Sequence, residues 1–204
     1  MLFRSPNSVL FAIGAFSASA NGTLVFRAGR SVFSRELVWV DRTGRRLRAV
    51  TKPGAFTGPL AVSPDQETVA VRINSGSQAD IWLQDLSRDV ISRFTFRPGL
   101  NRNPIWSPEG NRLVFSFQPG SLTDIYQKPA SGNAQEELLL HAGVNGYPLD
   151  WSPDGKWIVY QQTGQKTATD LWLLSLEGDR KPIPYLQTQF NRSEERRVGK
   201  ECRL

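Results

Sequence analysis

Apolar and polar residues alternate along this chain with the two-residue period of β-strands, and the run from Tyr147 shows the pattern at its clearest. Tyr147 to Trp151 lead into Ser152-Pro153-Asp154-Gly155, where proline presets φ, aspartate bonds its own backbone and glycine accepts a positive φ. Lys156 to Gln161 then predict a strand rich in β-branched and aromatic residues, and Gln162 to Thr169 a polar loop. Asp170 to Leu176 predict a third strand, Glu177-Gly178-Asp179 a hairpin turn, and Arg180 to Tyr185 a weaker fourth whose prolines mark it as an edge. Ala134 to Leu140 is the one helical window, too short to change the class.

This unit repeats. LAVSPDQETVAV from Leu60, PIWSPEGNRLVF from Pro104 and LDWSPDGKWIVY from Leu149 align with serines Ser63, Ser107 and Ser152, spaced by 44 and 45. A second signature keeps step: DIWLQDL from Asp80, DIYQKPASG from Asp124 and DLWLLSLEG from Asp170. One period before Ser63 and Asp80 lie Ser19 and Glu36, in degenerate copies FSASANGTLVF and ELVWVDRTG. Four antiparallel strands per period of this length make one propeller blade. The expectation is therefore an all-β chain of about four four-stranded antiparallel blades, at about 8–52, 53–97, 98–141 and 142–191, with Trp82, Trp106, Trp151 and Trp172 packing between strands and blades.

The motif [PL]-x-[WV]-S-P-[DE]-[GQ], followed about 17 residues after its serine by D-[IL]-[WY], resembles the TolB-type, WD-like β-propeller repeat over residues 17–191. The Gly-His and Trp-Asp dipeptides of the eukaryotic WD repeat are absent. ELVWVDRTG and PGLNRNPIWSPEGNRLVF are most similar to the propeller appended to membrane-anchored bacterial serine/threonine kinases. That resemblance implies a non-catalytic sensing or binding module of a larger protein, placed outside the cytoplasm and tethered through a membrane helix beyond this segment. Two alternatives are a TolB-like periplasmic scaffold that docks proteins, and the gating propeller of a prolyl-oligopeptidase-type peptidase.

Charge changes the picture only after the end of the chain is set aside. Residues 192–202 resemble the translated read of a sequencing adapter, so 192–204 is expected to be a foreign, disordered tail and the propeller to be a partial one. The tail holds five basic side chains against three acids, a net +2 of the chain's +6, so 1–191 carries +4 and no cysteine. At the other end, Val9–Phe16 followed by Ala18-Ser19-Ala20 mimics a secretory signal, while the repeat register assigns Phe16 to Ala20 to a strand. Val9–Phe16 is far shorter than the roughly 20 apolar residues a membrane helix needs, so no membrane insertion is expected.

The chemistry available is sparse. With one histidine and one cysteine, no metal site, cofactor or nucleophilic dyad is expected, and phosphate loops and kinase motifs are missing. Ser63, Ser107 and Ser152 recur once per blade, as a turn residue must and a nucleophile need not. Asp80, Asp124 and Asp170 follow the same logic as caps of backbone amides, and His141 as a loop or blade-edge residue. The basic run Arg42-Thr43-Gly44-Arg45-Arg46-Leu47-Arg48 reads as a solvated hairpin guarding an outer edge, not as a nucleic-acid surface. Binding is expected instead at the connections 54–59, 99–104 and 143–148, which open with glycine, close with proline and gather at the channel mouth. They offer Phe56, Thr57, Asn101, Arg102, Asn103, Asn145 and Tyr147 to a protein or small-molecule ligand.

Overall fold

The computed structural model describes residues 16–18, 24–28, 35–51, 54–163 and 169–187, the first two segments by their backbone alone. The candidate signal segment before Phe16 and the tail 192–204 lie outside the described residues. Among the described residues, sixteen strands fall into four groups of four. The first blade holds β1 (Phe16–Ala18), β2 (Leu24–Ala28), β3 (Glu36–Val40) and β4 (Arg46–Ala49). The second holds β5 (Phe56–Val62), β6 (Thr68–Ser75), β7 (Gln78–Asp85) and β8 (Val90–Arg93). The third holds β9 (Leu100–Trp106), β10 (Arg112–Gln118), β11 (Asp124–Pro129) and β12 (Glu137–Leu140). The fourth holds β13 (Gly146–Trp151), β14 (Trp157–Gln162), β15 (Asp170–Ser175) and β16 (Pro182–Leu186). Each blade pairs its strands antiparallel in chain order, and the middle two are joined by one parallel bridge, Ala79 with Leu100.

Two expectations about elements are corrected. The helical window Ala134–Leu140 ends in strand β12, which pairs with β11. Leu138, Leu139 and Leu140 suit either state, and the partner strand alongside decides. The glycine-to-proline connections are largely strand as well: 56–59, 100–104 and 146–148 open β5, β9 and β13. Pro59, Pro104 and Pro148 read as strand breakers because they lack an N–H. Each sits at a register shift, between Thr57 and Ala61, between Arg102 and Ile105, and between Pro148 and Asp150. A bulge is where a strand tolerates proline.

The core lies between blades. Because side chains alternate across a strand, a middle strand feeds two interfaces at once. In β6, Val69 and Val71 join Leu37, Trp39, Val50, Phe56 and Leu60 between blades one and two, while Ala70 joins Ile81, Phe94, Leu113, Phe115 and Phe117 between blades two and three. In β10, Val114 turns the other way, to Ile105, Ile125, Leu139, Trp151, Ile158, Tyr160 and Leu174 between blades three and four. Outer strands β4, β8 and β16 are almost wholly exposed. First strands of successive blades pack on one another, which makes β5, β9 and β13 the innermost.

Tryptophans behave as the repeat predicts. Trp151 is buried, while Trp82, Trp106 and Trp172 pack half-buried against the three interfaces. Trp106 Nε1 donates to Ala61 O at 3.1 Å, a direct bond between blades two and three. Lys128 crosses the same interface, its Nζ 2.8 Å from Phe94 O and 4.8 Å from the centre of that ring; burial pushes its pKa down.

Candidate functional site

The two ends of the blades carry different chemistry. At one end lie the turns between first and second strands. Ser63 Oγ accepts the amide of Thr68 at 2.9 Å, Ser107 Oγ that of Arg112 at 3.1 Å, and Ser152 Oγ that of Trp157 at 2.9 Å. The hydroxyls of Ser63 and Ser152 donate to Asp65 and Asp154, and these bonds, with backbone amides behind them, hold both carboxyls below the usual carboxylate range. Fourth in each turn, Gln66, Gly110 and Gly155 take φ of 65°, 72° and 75°. Ser63, Ser107 and Ser152 are each engaged in their own turn.

At the opposite end, where second strands turn into third and fourth strands cross to the next blade, the strand-opening acids act as clasps. Asp80 pairs with Arg93 at 2.8 Å and accepts from Thr95 Oγ1 and from Asn101 Nδ2 of the next blade, each at 3.3 Å. Asp124 instead meets His141 Nδ1 at 2.9 Å and caps the amide of Ala142 at 3.3 Å. Threonines complete the clasp: Ile81 N donates to Thr95 Oγ1 at 2.9 Å and Leu37 N to Thr51 Oγ1 at 3.2 Å. Sequence reading missed Thr51 and Thr95, although both stand twelve residues before a turn serine.

The seven candidate residues divide into two sets. Phe56 is buried in the interface between blades one and two. Asn101, fully buried, donates to Ala79 O at 3.1 Å as well as to Asp80. Asn103 is buried with φ of 51°, the left-handed conformation that lets the chain enter the bulge before Pro104. These three hold the fold. They read as loop residues because the bulges hid the strand around them.

The other four stay half-exposed. Thr57, Arg102 and Tyr147 are structural equivalents, opposite Arg72, Ser116 and Gln161 at one register position of the three innermost strands. The bulges displace this equivalence from a simple alignment on the serines. Thr57 Oγ1 donates to Asn74 Oδ1 at 2.9 Å, and Arg102 Nε lies buried without an acceptor. Asn145, just before β13, accepts from Thr123 Oγ1 at 3.0 Å. One position thus presents a hydroxyl, a guanidinium and a phenol from three blades, a set suited to hydrogen bonding and stacking rather than to bond cleavage.

Among the described residues no three His, Cys, Asp or Glu side chains come together as a metal site, and no helix is long and apolar enough to cross a membrane. Arg45 and Arg46 of the basic run are engaged locally, with Asp41 at 3.2 Å and Glu36 at 2.7 Å.

A family model described as the TolB beta propeller domain matches residues 25–183. Over 126 residues, 60% of this chain, the sequence is 26% identical to the Tol-Pal system protein TolB of Anaeromyxobacter dehalogenans (strain 2CP-C), covering 27% of that protein. Over 55 residues, 26% of this chain, it is 36% identical to the protein of the same name from Alcanivorax borkumensis, covering 12% of it. The chain therefore spans about a quarter or less of the length of these relatives. The crystal structure of TolB from Acinetobacter baumannii superposes with a TM-score of 0.69 at 19% identity, over 79% of this chain and 40% of that one. The fold agrees with the repeat reading, and the family match runs from the first blade into the last: the chain belongs to the TolB β-propeller domain family.

Proposed function

We propose that this chain is a non-catalytic binding propeller that works outside the cytoplasm as a docking scaffold, holding a partner protein or small ligand at the channel mouth through Thr57, Arg102, Asn145 and Tyr147. One observation carries this reading. The turn serines repeat from blade to blade, whereas the half-exposed position on the three innermost strands changes from threonine to arginine to tyrosine. A surface that departs from the repeat at its concave centre is where an asymmetric partner would be read. The cysteine-free stretch 1–191 suits an oxidising compartment. The scaffold reading takes precedence over a kinase sensor because the named relatives are Tol-Pal system proteins. A kinase domain encoded in the same reading frame would reverse that order.

The test is site-specific photocrosslinking in cells, with a benzoylphenylalanine placed at Tyr147 or Arg102 and, as controls, at Asp154 or Glu109 on the turn end. Adducts from the first pair and none from the second are expected. Adducts confined to the turn end would refute the channel-mouth assignment.

A further inference from the structure

The cross-strand pair at mid-length of the two outer strands can be compared in all four blades, because the register aligns it. It is Trp39 with Arg48 in blade one, Leu83 with Ser92 in blade two, Gln127 with Glu137 in blade three and Leu173 with Ile183 in blade four. Blades two and four thus carry no charge there. The notch of blade three is closed by groups of this chain: Gln127 Nε2 donates to Glu137 Oε2 at 2.7 Å, Arg180 of the next blade reaches Glu137 Oε1 at 2.8 Å, and Arg112 reaches Gln127 Oε1 at 3.4 Å. The carboxylate of Glu137 is the centre of that network, and its two partners hold its pKa down.

Blade one has the cation without the carboxylate. Its notch is an open groove of about 450 Å3 lined by Trp39, Leu47, Arg48 and the turn residue Gln66 of blade two. Trp39 is 7% exposed, and its indole N–H is buried without an acceptor. Arg46 and Arg45 are occupied by Glu36 and Asp41, but Arg48 meets no carboxylate among the described residues. A register shift between Trp39 and Val40 makes Leu47 the extra residue of a bulge, so Leu47, 52% exposed, and Arg48 line the same groove. β4 ends its sheet, with its outer edge unpaired among the described residues.

We propose that the notch between blades one and two docks an extended acidic segment of a partner protein, with a carboxylate on Arg48 and an apolar neighbour over Leu47 and the Trp39 ring. The argument is complementarity. The ligand supplies to Arg48 the group that Glu137 supplies within blade three, and an edge rich in arginine repels basic chains while admitting acidic ones. This surface is on the outer rim and is independent of the channel mouth.

The test is a fluorescence-anisotropy titration of the full chain with a labelled hexapeptide alternating glutamate and valine, beside analogues with lysine or serine in place of glutamate. The acidic peptide should bind about tenfold or more tighter than the serine analogue, and the advantage should shrink as salt rises. Arg48→Glu, a change at an exposed position, should abolish the advantage, whereas Arg180→Glu at the closed notch and the triple change Thr57→Ala, Arg102→Ala, Tyr147→Ala should preserve it. No binding of the acidic peptide, equal binding of the serine analogue, or indifference to Arg48→Glu would each overturn the proposal.

Discussion

The two ends of the blades were built from one repeat and have diverged to different degrees. At the turn end, three serines make the same bond to the amide five residues on, and each is followed by proline and an acid. At the connection end, Asp80 is held by arginine and threonine but Asp124 by histidine, and the innermost strands present three unlike side chains. A turn has one geometric solution, so each copy converges on it. A clasp has several, and a binding surface gains from having no repeat at all. Uniformity thus marks the turns, and variation marks positions free for recognition only where the side chain stays half-exposed, because the buried variation at Phe56 and Asn101 is taken up by packing.

The strongest way to break this comparison is at a repeated position that is also buried. Trp151 is 5% exposed, bonds Gly155 O at 3.1 Å and lies under the Arg112 guanidinium at 5.3 Å. Trp151→Ala should cost about 3–5 kcal/mol in chemical denaturation; a loss below about 1 kcal/mol would show that the blade interface is not the core.

Ser107→Ala comes next, because Ser107 is fully buried and its loss leaves the amide of Arg112 without its side-chain acceptor. It should cost about 1–2 kcal/mol and leave partner binding intact. The same turns predict an acid response. The carboxyls of Asp65 and Asp154 are lowered in the folded state, so the stability they contribute is complete above their unfolded pKa of about 3.9 and is lost as pH falls through the lowered folded values. Ser63→Ala and Ser152→Ala should flatten that acid limb in pH-resolved melting, and an unchanged limb would place the effect elsewhere.

Much of the fold was legible because turn chemistry recurs at a fixed period, and periodicity survives any uncertainty about single strands. What was hidden involved a residue out of phase. The bulges at Pro59, Pro104 and Pro148 made strand look like loop, and they shifted Thr57, Arg102 and Tyr147 so that their equivalence appears only in the pairing. Asn101 looked like a surface amide because nothing in its neighbours announces the buried acceptor at Ala79 O. The Trp39 and Arg48 pairing is equally invisible, since a hairpin's register depends on a bulge that no residue type at 45–49 declares.

Smaller effects sharpen the contrast. Gln66 holds φ of 65° where the other two turns use glycine. Gln66→Gly should relieve the left-handed penalty of about 1–2 kcal/mol but return part of it as unfolded-state entropy, for a net gain of about 0.5 kcal/mol. A loss of stability would mean that the Gln66 side chain matters more than its backbone. Smallest of all, Thr57→Ala, Arg102→Ala and Tyr147→Ala should each stay within about 0.5 kcal/mol of the parent in melting experiments while removing partner capture. Large destabilisation by any of them would move that residue to the structural set.

Placing the apolar clusters between blades, with β6 and β10 each feeding two of them, has a mechanical consequence. A sheet pulled away from its neighbour takes half of a shared interface with it and strips water-shielding from the blade left behind. Under an optical tweezer the chain should therefore rupture in blade-sized steps, each step weakening the next, instead of fraying strand by strand. Such an object tolerates deformation along its edges and yields at its joints, which is how a row of interlocked wedges behaves when one is drawn out.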